Sequence, residues 1–535
     1  MSWPEKLKKG ITKEEHFGRS LWVYEERPRN ISEFINHNVK LFPEKEALVC
    51  NNTMLTYKEF QEKVNILSYQ LSSSWGVKKG DRVAVLFDNS IEFCVSIFAI
   101  CQLGAIAVTL NTRLKPAELE FMLIDSNAKI LLMSSDYWNN IEKILDKLVA
   151  MEQVFISGEI PLSDKVLSYE DLFGIRDYHV VKADIEEEDV AFIVYTSGTT
   201  GKPKGAMVTH LNVIHSCINY QRVMELSSND RTLVAVPLFH ITGMVAQLLL
   251  FVFIGGTITI MRDYKTQKFI QLMSQSRATH TIVVPTIYIL MLMNEEIDDF
   301  DLSSWRVAAY GGAPISSETV SQLTSKFPNL QPFNCYGATE TTSPSTISPP
   351  WGCLKKPSSV GLPVPVGEIT ICDEKGTELG ANQVGEIWIK GPMVVPGYWN
   401  NPEANNKEFT RGFWHSGDMG QKDDEGFIYV MDRKKDLINR GGEKIFCVEV
   451  EDVISSHPKA MEVAVVGVPD KVFGEQVKAV IVPKPGTEVT GEEIQEFASE
   501  KLAHYKVPKY VEFVDILPKN PGGKVLKQQL KETEV

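Results

Sequence analysis

The eleven residues from Tyr195 to Gly205, YTSGTTGKPKG, follow an apolar run, Val190 to Val194, and contain successive hydroxyl residues, three glycines and two lysines. A loop of that composition can offer backbone N–H, hydroxyl and ammonium groups to a polyphosphate. It is not a Walker A loop. Only two residues separate Gly198 from Gly201, and Pro203 follows Lys202 where a helix-starting Ser or Thr is needed. Composition alone also admits a solvated surface turn.

Six further segments could carry chemistry: PLFHITGM at Pro237 to Met244, YGGAP at Tyr310 to Pro314, YGATE at Tyr336 to Glu340, GFWHSGD at Gly412 to Asp418, DRKKDLINRGGEKI at Asp432 to Ile445, and PKNPGGK at Pro518 to Lys524. In this order, and over nearly the whole chain, the set resembles the adenylate-forming superfamily, which includes acyl-CoA synthetases, peptide-synthetase adenylation domains and beetle luciferases. The resemblance implies an ATP-dependent acid–CoA ligase. A carboxylate and ATP give acyl-AMP and pyrophosphate, and the thiol of CoA then takes the acyl group and releases AMP. Because that first step brings anions together, positioning and charge neutralisation must supply most of the catalysis.

What the resemblance implies for single residues is specific. Thr196, Ser197, Gly198, Thr199, Thr200, Gly201, Lys202 and Lys204 hold the phosphates, with Thr339 reaching them. Glu340 is the Mg2+ ligand, a carboxylate suited to a hard cation. Tyr336 covers the adenine beside Gly311, Gly312, Ala313, Pro314 and Gly337. Asp418 accepts from the ribose hydroxyls and Arg433 adds a donor, with the strand end at Tyr429 and Val430 alongside. Lys524 is the adenylation lysine, and Thr196, Glu340 and His240 complete the catalytic set. Lys435 is the hinge about which a C-terminal domain turns between half-reactions, bringing Gly441, Gly442 and Lys444 to CoA. The chain departs from the usual pattern at Cys447, where proline is commoner, and in PKNPGGK, where Thr and Ser are frequent.

These residues need a scaffold, and the apolar spacing supplies one. The capping box Thr56 to Glu59 opens a helix carrying Phe60, Val64, Leu67 and Leu71. Val83 to Phe87 reads as a buried strand, and residues 88–90 cap a second helix reaching Leu103. Strands at 105–110, 130–133, 190–195, 232–236, 257–261 and 280–284 continue the alternation, which predicts doubly wound α/β architecture. Between 364 and 430 the texture changes to short strands and turns. After Arg433 a capping box at Thr490 to Glu493 opens an amphipathic helix. The expected fold class is α/β: a large N-terminal domain (1–432) of doubly wound mixed sheets with a small β subdomain (about 364–432), and a small mobile α+β C-terminal domain (433–535).

Length and composition narrow the partners. At 535 residues the chain exceeds one core. The net charge of -14 argues against nucleic acid. The eight cysteines, Cys50, Cys94, Cys101, Cys217, Cys335, Cys353, Cys372 and Cys447, lack zinc-ligand spacing and read as free thiols of a reducing cytoplasm. No apolar stretch follows the charged N-terminus as in a secretory signal. The most apolar segment, Met244 to Ile260, is broken by Gly255-Gly256 and predicts helix, turn and strand rather than a membrane span. A homodimer is compatible with the sequence but not required by it.

The resemblance implies that His240 stands where acyl-CoA-forming relatives place an aromatic gate, and the candidate pocket wall adds Met244, Gln247, Val283, Val284, Ile287, Tyr288, Tyr310, Gly311 and Gly337. It is largely apolar and lacks a basic residue for a second carboxylate, which favours a medium- or long-chain fatty acid, then an aryl acid. Amino-acid-activating members of the superfamily place an aspartate at this point for the substrate ammonium, and Phe239-His240 supplies none, which disfavours amino acids. Loading of an acyl carrier protein, a luciferase-like oxidation of the adenylate, and a non-catalytic binding role are the competing readings.

Overall fold

Runs such as Arg82–Leu86 (RVAVL) are apolar on both sides, so they require cover on both faces, and helices provide it. The computed structural model describes residues 3–161, 164–196, 203–434, 436–519 and 525–531. Ser197, Gly198, Thr199, Thr200, Gly201, Lys202, the hinge residue Lys435 and Lys524 lie outside the described residues.

Helix Tyr57–Ser73 starts at its capping box: the Glu59 amide donates to Thr56 Oγ1 at 3.2 Å, and the Thr56 amide donates to the Glu59 carboxylate at 2.8 Å. Its apolar stripe, Phe60, Val64, Leu67 and Leu71, is buried. Helix Ile91–Gln102 is capped by Ser90 and almost wholly buried. Together they cover one face of a seven-stranded sheet whose order along the sheet is 204–209, 190–196, 106–109, 82–86, 130–134, 153–157, 166–168. All pairings are parallel except that of the edge strand Lys204–Thr209 with Val190–Thr196.

A second sheet of nine strands runs 362–363, 346–348, 331–336, 307–311, 280–283, 231–234, 257–260, 46–50, 53–56, parallel in its centre and antiparallel at both ends. Asn89 joins the two sheets. Its amide nitrogen donates to the carbonyls of Val236 and Met261 at 3.0 and 3.1 Å, and its oxygen accepts from the Leu238 amide at 2.7 Å. The segment before Thr257–Ile260 is the expected helix, turn and strand, with Gly255 in the left-handed region at φ 74°. Within it, Met244–Leu249 winds as a fully buried π-helix, which apolar spacing does not reveal.

A third, antiparallel sheet contains Glu368–Cys372, Gly385–Lys390, Phe413–Lys422 and Ile428–Arg433. The C-terminal sheet, built on the hairpin Ala460–Asp470 and Gly474–Pro483, carries helices Cys447–Ser455 and Gly491–Ser499. Seven of the cysteines are buried and Cys50 is half-buried, all as free thiols. Among the described residues no helix is long and apolar enough to cross a membrane.

Candidate active site

Parallel strands direct their C-terminal ends to one edge, where loops can gather side chains without interrupting the ladder. Val190–Thr196 ends at Thr196, whose register partner Lys204 opens the return strand, so the glycine-rich loop closes a hairpin. In the second sheet Gly311 is paired with Cys335, which leaves Gly312 and Tyr336 at adjacent strand ends. Gly312 adopts φ +79°, and a Cβ on Gly337 would overlap the carbonyl oxygen of Ser343, so both positions require glycine.

Beyond Tyr336 the chain makes a short 3-10 turn, Thr339–Thr341, in which the Ala338 amide donates to Thr341 Oγ1 at 2.9 Å. That turn buries Thr339 and Glu340. The Glu340 carboxylate accepts from Tyr398 Oη at 2.9 Å and lies 3.4 Å from Thr196 Oγ1, so the first and second sheets meet there. Burial raises the Glu340 pKa above the ordinary carboxylate value. Oxygen donors around a buried carboxylate fit a hard divalent cation, which would supply the missing positive charge.

The third sheet contributes the other half. Asp418 and Arg433 are register partners across Phe413–Lys422 and Ile428–Arg433, and Arg433 Nε lies 3.2 Å from Asp418 Oδ1. Tyr336 Oη donates to Asp418 Oδ2 at 2.6 Å. Burial first, and the Asp418 charge second, raise the Tyr336 pKa, so the phenol keeps its proton for that bond. Tyr336, Asp418 and Arg433, far apart in the chain, thus form one continuous surface.

Several expected residues stand elsewhere. Lys204 donates to both Glu408 carboxylate oxygens at 2.7 Å, so its ammonium is engaged in an ion pair with that residue. Tyr429 Oη donates to Asp423 at 3.1 Å, and Val430 packs on the main core with no polar group to offer. Tyr310 is buried and belongs, with Val283, Ile287, Tyr288 and Trp305, to the core on one face of the second sheet, whereas Met244 and Ala309 belong to the other face. Strand alternation explains this, because Gly311 and Tyr310 must point oppositely. Gln247 is buried and donates to Thr232 Oγ1 and the Leu233 carbonyl, both at 2.9 Å. Val284 reaches the strand-end rim, 3.8 Å from where a Gly312 Cβ would stand. His240 stands at the N-cap position of the turn Ile241–Gly243 with no side-chain capping bond, and burial lowers its pKa.

Gly441 and Gly442 form the tip between Ile438–Arg440 and Glu443–Ile445, with left-handed φ of 62° and 98°, and Lys444 is exposed beside them. The Gly441 amide donates to the Phe473 carbonyl at 2.7 Å. At the junction, Asp432 accepts from the Cys447 amide at 2.5 Å. Sequence reasoning missed Tyr398 and Glu408, and gave no role to Asp432 and Trp414 within the segments it named. Each is an ordinary residue whose partner lies in another element.

Outside this cleft, Glu14, His16 and Glu187 have metal-ligand spacing, but Arg27 fills the group at 2.6 Å from Glu14 and 2.8 Å from Glu187.

The AMP-binding enzyme model matches residues 35–399, and the AMP-binding enzyme C-terminal domain model matches residues 449–524. The chain is 35% identical to an oxalate–CoA ligase of Arabidopsis thaliana, covering 92% of this chain and 96% of that one. It is 31% identical to a long-chain-fatty-acid–CoA ligase of Escherichia coli, covering 95% of each. Among solved structures, an anthranilate CoA ligase in complex with anthranoyl-AMP superposes with a TM-score of 0.88 at 27% identity, covering 94% of this chain and 96% of that one.

Proposed function

Since the chain belongs to the AMP-binding enzymes and is an AMP-forming acid–thiol ligase, we propose that it activates a medium- or long-chain fatty acid and transfers it to CoA. The observation that carries this is the convergence of Thr196 with Glu340, and of Tyr336 with Asp418 and Arg433, from three sheets on one cleft.

In the first half-reaction a carboxylate oxygen attacks the α-phosphorus of ATP and the bond to pyrophosphate breaks. Tyr336 and the Gly311–Gly312 backbone would flank the base. Asp418 would accept from the ribose hydroxyls, and Arg433 would hold Asp418 in place. Glu340 and Thr196 would hold Mg2+, which when bound offsets phosphate charge. Lys524 would neutralise the carboxylate and the α-phosphate as they approach. In the second half-reaction the CoA sulfur, having lost its proton, attacks the acyl carbon and AMP departs. Gly441, Gly442 and Lys444 would line its path once the C-terminal domain has turned about Lys435.

Support for an aliphatic chain comes from the wall. Met244 is apolar and lies on the face of the second sheet opposite Tyr288 and Tyr310, the two tyrosines that could stack on an aryl ring, while Val284 adds apolar surface from the cluster that holds those tyrosines. The relatives named above act on acids as different as oxalate, long-chain fatty acid and anthranilate, so the acid is the finer part of the proposal.

The test is pyrophosphate release from MgATP across acids of rising chain length, oxalate, and benzoate and cinnamate types, with and without CoA. A CoA-stimulated optimum at a medium or long chain is expected. An optimum on oxalate or an aryl acid contradicts the substrate class, and turnover only with an acyl carrier protein contradicts CoA as acceptor.

Asp418→Asn bears on the ribose role. It keeps the shape but weakens two charge-assisted contacts, so KM for ATP is expected to rise about tenfold, with a smaller change in KM for the acid. Equal changes in both constants would remove Asp418 from the nucleotide.

A further inference from the structure

The side chain that orients Glu340 lies outside the motifs of the nucleotide cleft. Residues 397–399 pair with the strand Lys204–Thr209: the Met207 amide donates to the Gly397 carbonyl at 3.0 Å, and the Trp399 amide to the Gly205 carbonyl at 2.7 Å. The Val395 amide donates to the Glu340 carbonyl at 2.9 Å. Between these anchors Tyr398 is 1% exposed, with Phe409 set edge-on to its ring.

Four polar groups surround its hydroxyl. Glu340 Oε1 lies at 2.9 Å, Glu408 Oε2 at 2.7 Å, Trp414 Nε1 at 3.3 Å and Lys204 Nζ at 3.4 Å. A phenol has one proton to donate, and the indole and ammonium can only donate to it. The phenolic proton is within reach of both carboxylates, and because Lys204 meets both Glu408 oxygens at 2.7 Å and neutralises that charge, Glu340 is the acceptor left without an ion-pair partner. Thr196 approaches the same Oε1. Both side-chain contacts therefore fall on Oε1, and neither engages Oε2.

The geometry points to Tyr398 as a positioning residue for Glu340: held by Lys204 and Glu408, it fixes Oε1 inward and presents Oε2 to the divalent cation. This rests on the ligase reading above, in which Glu340 takes Mg2+. The lysine that closes the glycine-rich segment then serves the cation through a relay of side chains and touches no phosphate.

Mn2+ in place of Mg2+ reports binding directly by electron paramagnetic resonance, with α,β-methylene ATP as a nucleotide that cannot form an adenylate. Tyr398→Phe keeps the ring and removes the hydroxyl. It is expected to bind Mn2+ with the analogue about tenfold more weakly than the unaltered protein, and to regain pyrophosphate release as Mg2+ is raised. Glu408→Gln, a second variant should the first fold poorly, is expected to shift Mn2+ affinity in the same direction. Unaltered Mn2+ affinity in a folded variant overturns the positioning role, as does a loss of pyrophosphate release that excess Mg2+ does not restore. If the unaltered protein shows no nucleotide-dependent Mn2+ binding, the ligase reading fails and this inference with it.

Discussion

Replacing Lys524 with alanine is expected to reduce acyl-adenylate formation about a thousandfold while leaving thioester formation from supplied acyl-AMP within a few fold of the unaltered enzyme. Two anions must be brought together in the first half-reaction, and the resemblance of PKNPGGK to the family's adenylation motif assigns Lys524 to the charge between them. In the second half-reaction a neutral acyl carbon meets a sulfur nucleophile and AMP leaves already bonded to its own phosphate, so the need for that ammonium is gone. ATP–pyrophosphate exchange reports the first step alone, and synthetic acyl-AMP with CoA reports the second. Comparable loss in both assays would mean that Lys524 supports the fold or the hinge instead of the adenylation chemistry.

Glu340→Gln has the second-largest expected effect, and it should separate activity from stability. The glutamine keeps an oxygen for Tyr398 but cannot offer a charged ligand to a cation. Pyrophosphate release at low Mg2+ is therefore expected to fall about a hundredfold. In the absence of metal the same substitution should stabilise the protein, by about 1 kcal/mol, because burial disfavours the carboxylate charge and no cation lies within pairing distance among the described residues. A melting curve without Mg2+ and a rate with it test the two halves together. A variant that is both less stable and equally active would place Glu340 in the fold and not in the site.

The sequence made some of this legible and hid the rest for physical reasons. Local rules located the helix at Tyr57–Ser73 and the Gly255 turn, since a capping box and a left-handed glycine act within one turn of chain. Ordered motifs singled out Thr196, Tyr336, Glu340 and Asp418, which the fold brings into two contacts. Strand parity was also available for Tyr310: its neighbour Gly311 cannot face the cleft unless Tyr310 faces away, and reading both as pocket residues overlooked the period of two. Lys204 is different. Nothing near it announces Glu408, which sits 204 residues further along, so a basic residue beside a phosphate loop was read by proximity alone. The order of strands in the two large sheets and the π-helix at Met244–Leu249 likewise depend on long-range packing.

That π-helix has an evolutionary consequence. The proposed cleft wall at Gly311 is frozen, because any side chain there would run into the carbonyl of Cys335 on the next strand. A lineage exploring new acids cannot widen or narrow that wall by point mutation. In the proposed pocket Met244–Leu249 is the adjustable part: a π turn holds about one residue more than an α turn, so a single deletion can be absorbed by rewinding it, changing the side chains it presents while the flanking chain keeps its register. Among chains of similar length that handle acids as unlike as oxalate and long fatty acids, such one-residue edits offer a short mutational route from one specificity to another while the nucleotide half of the cleft stays as it was.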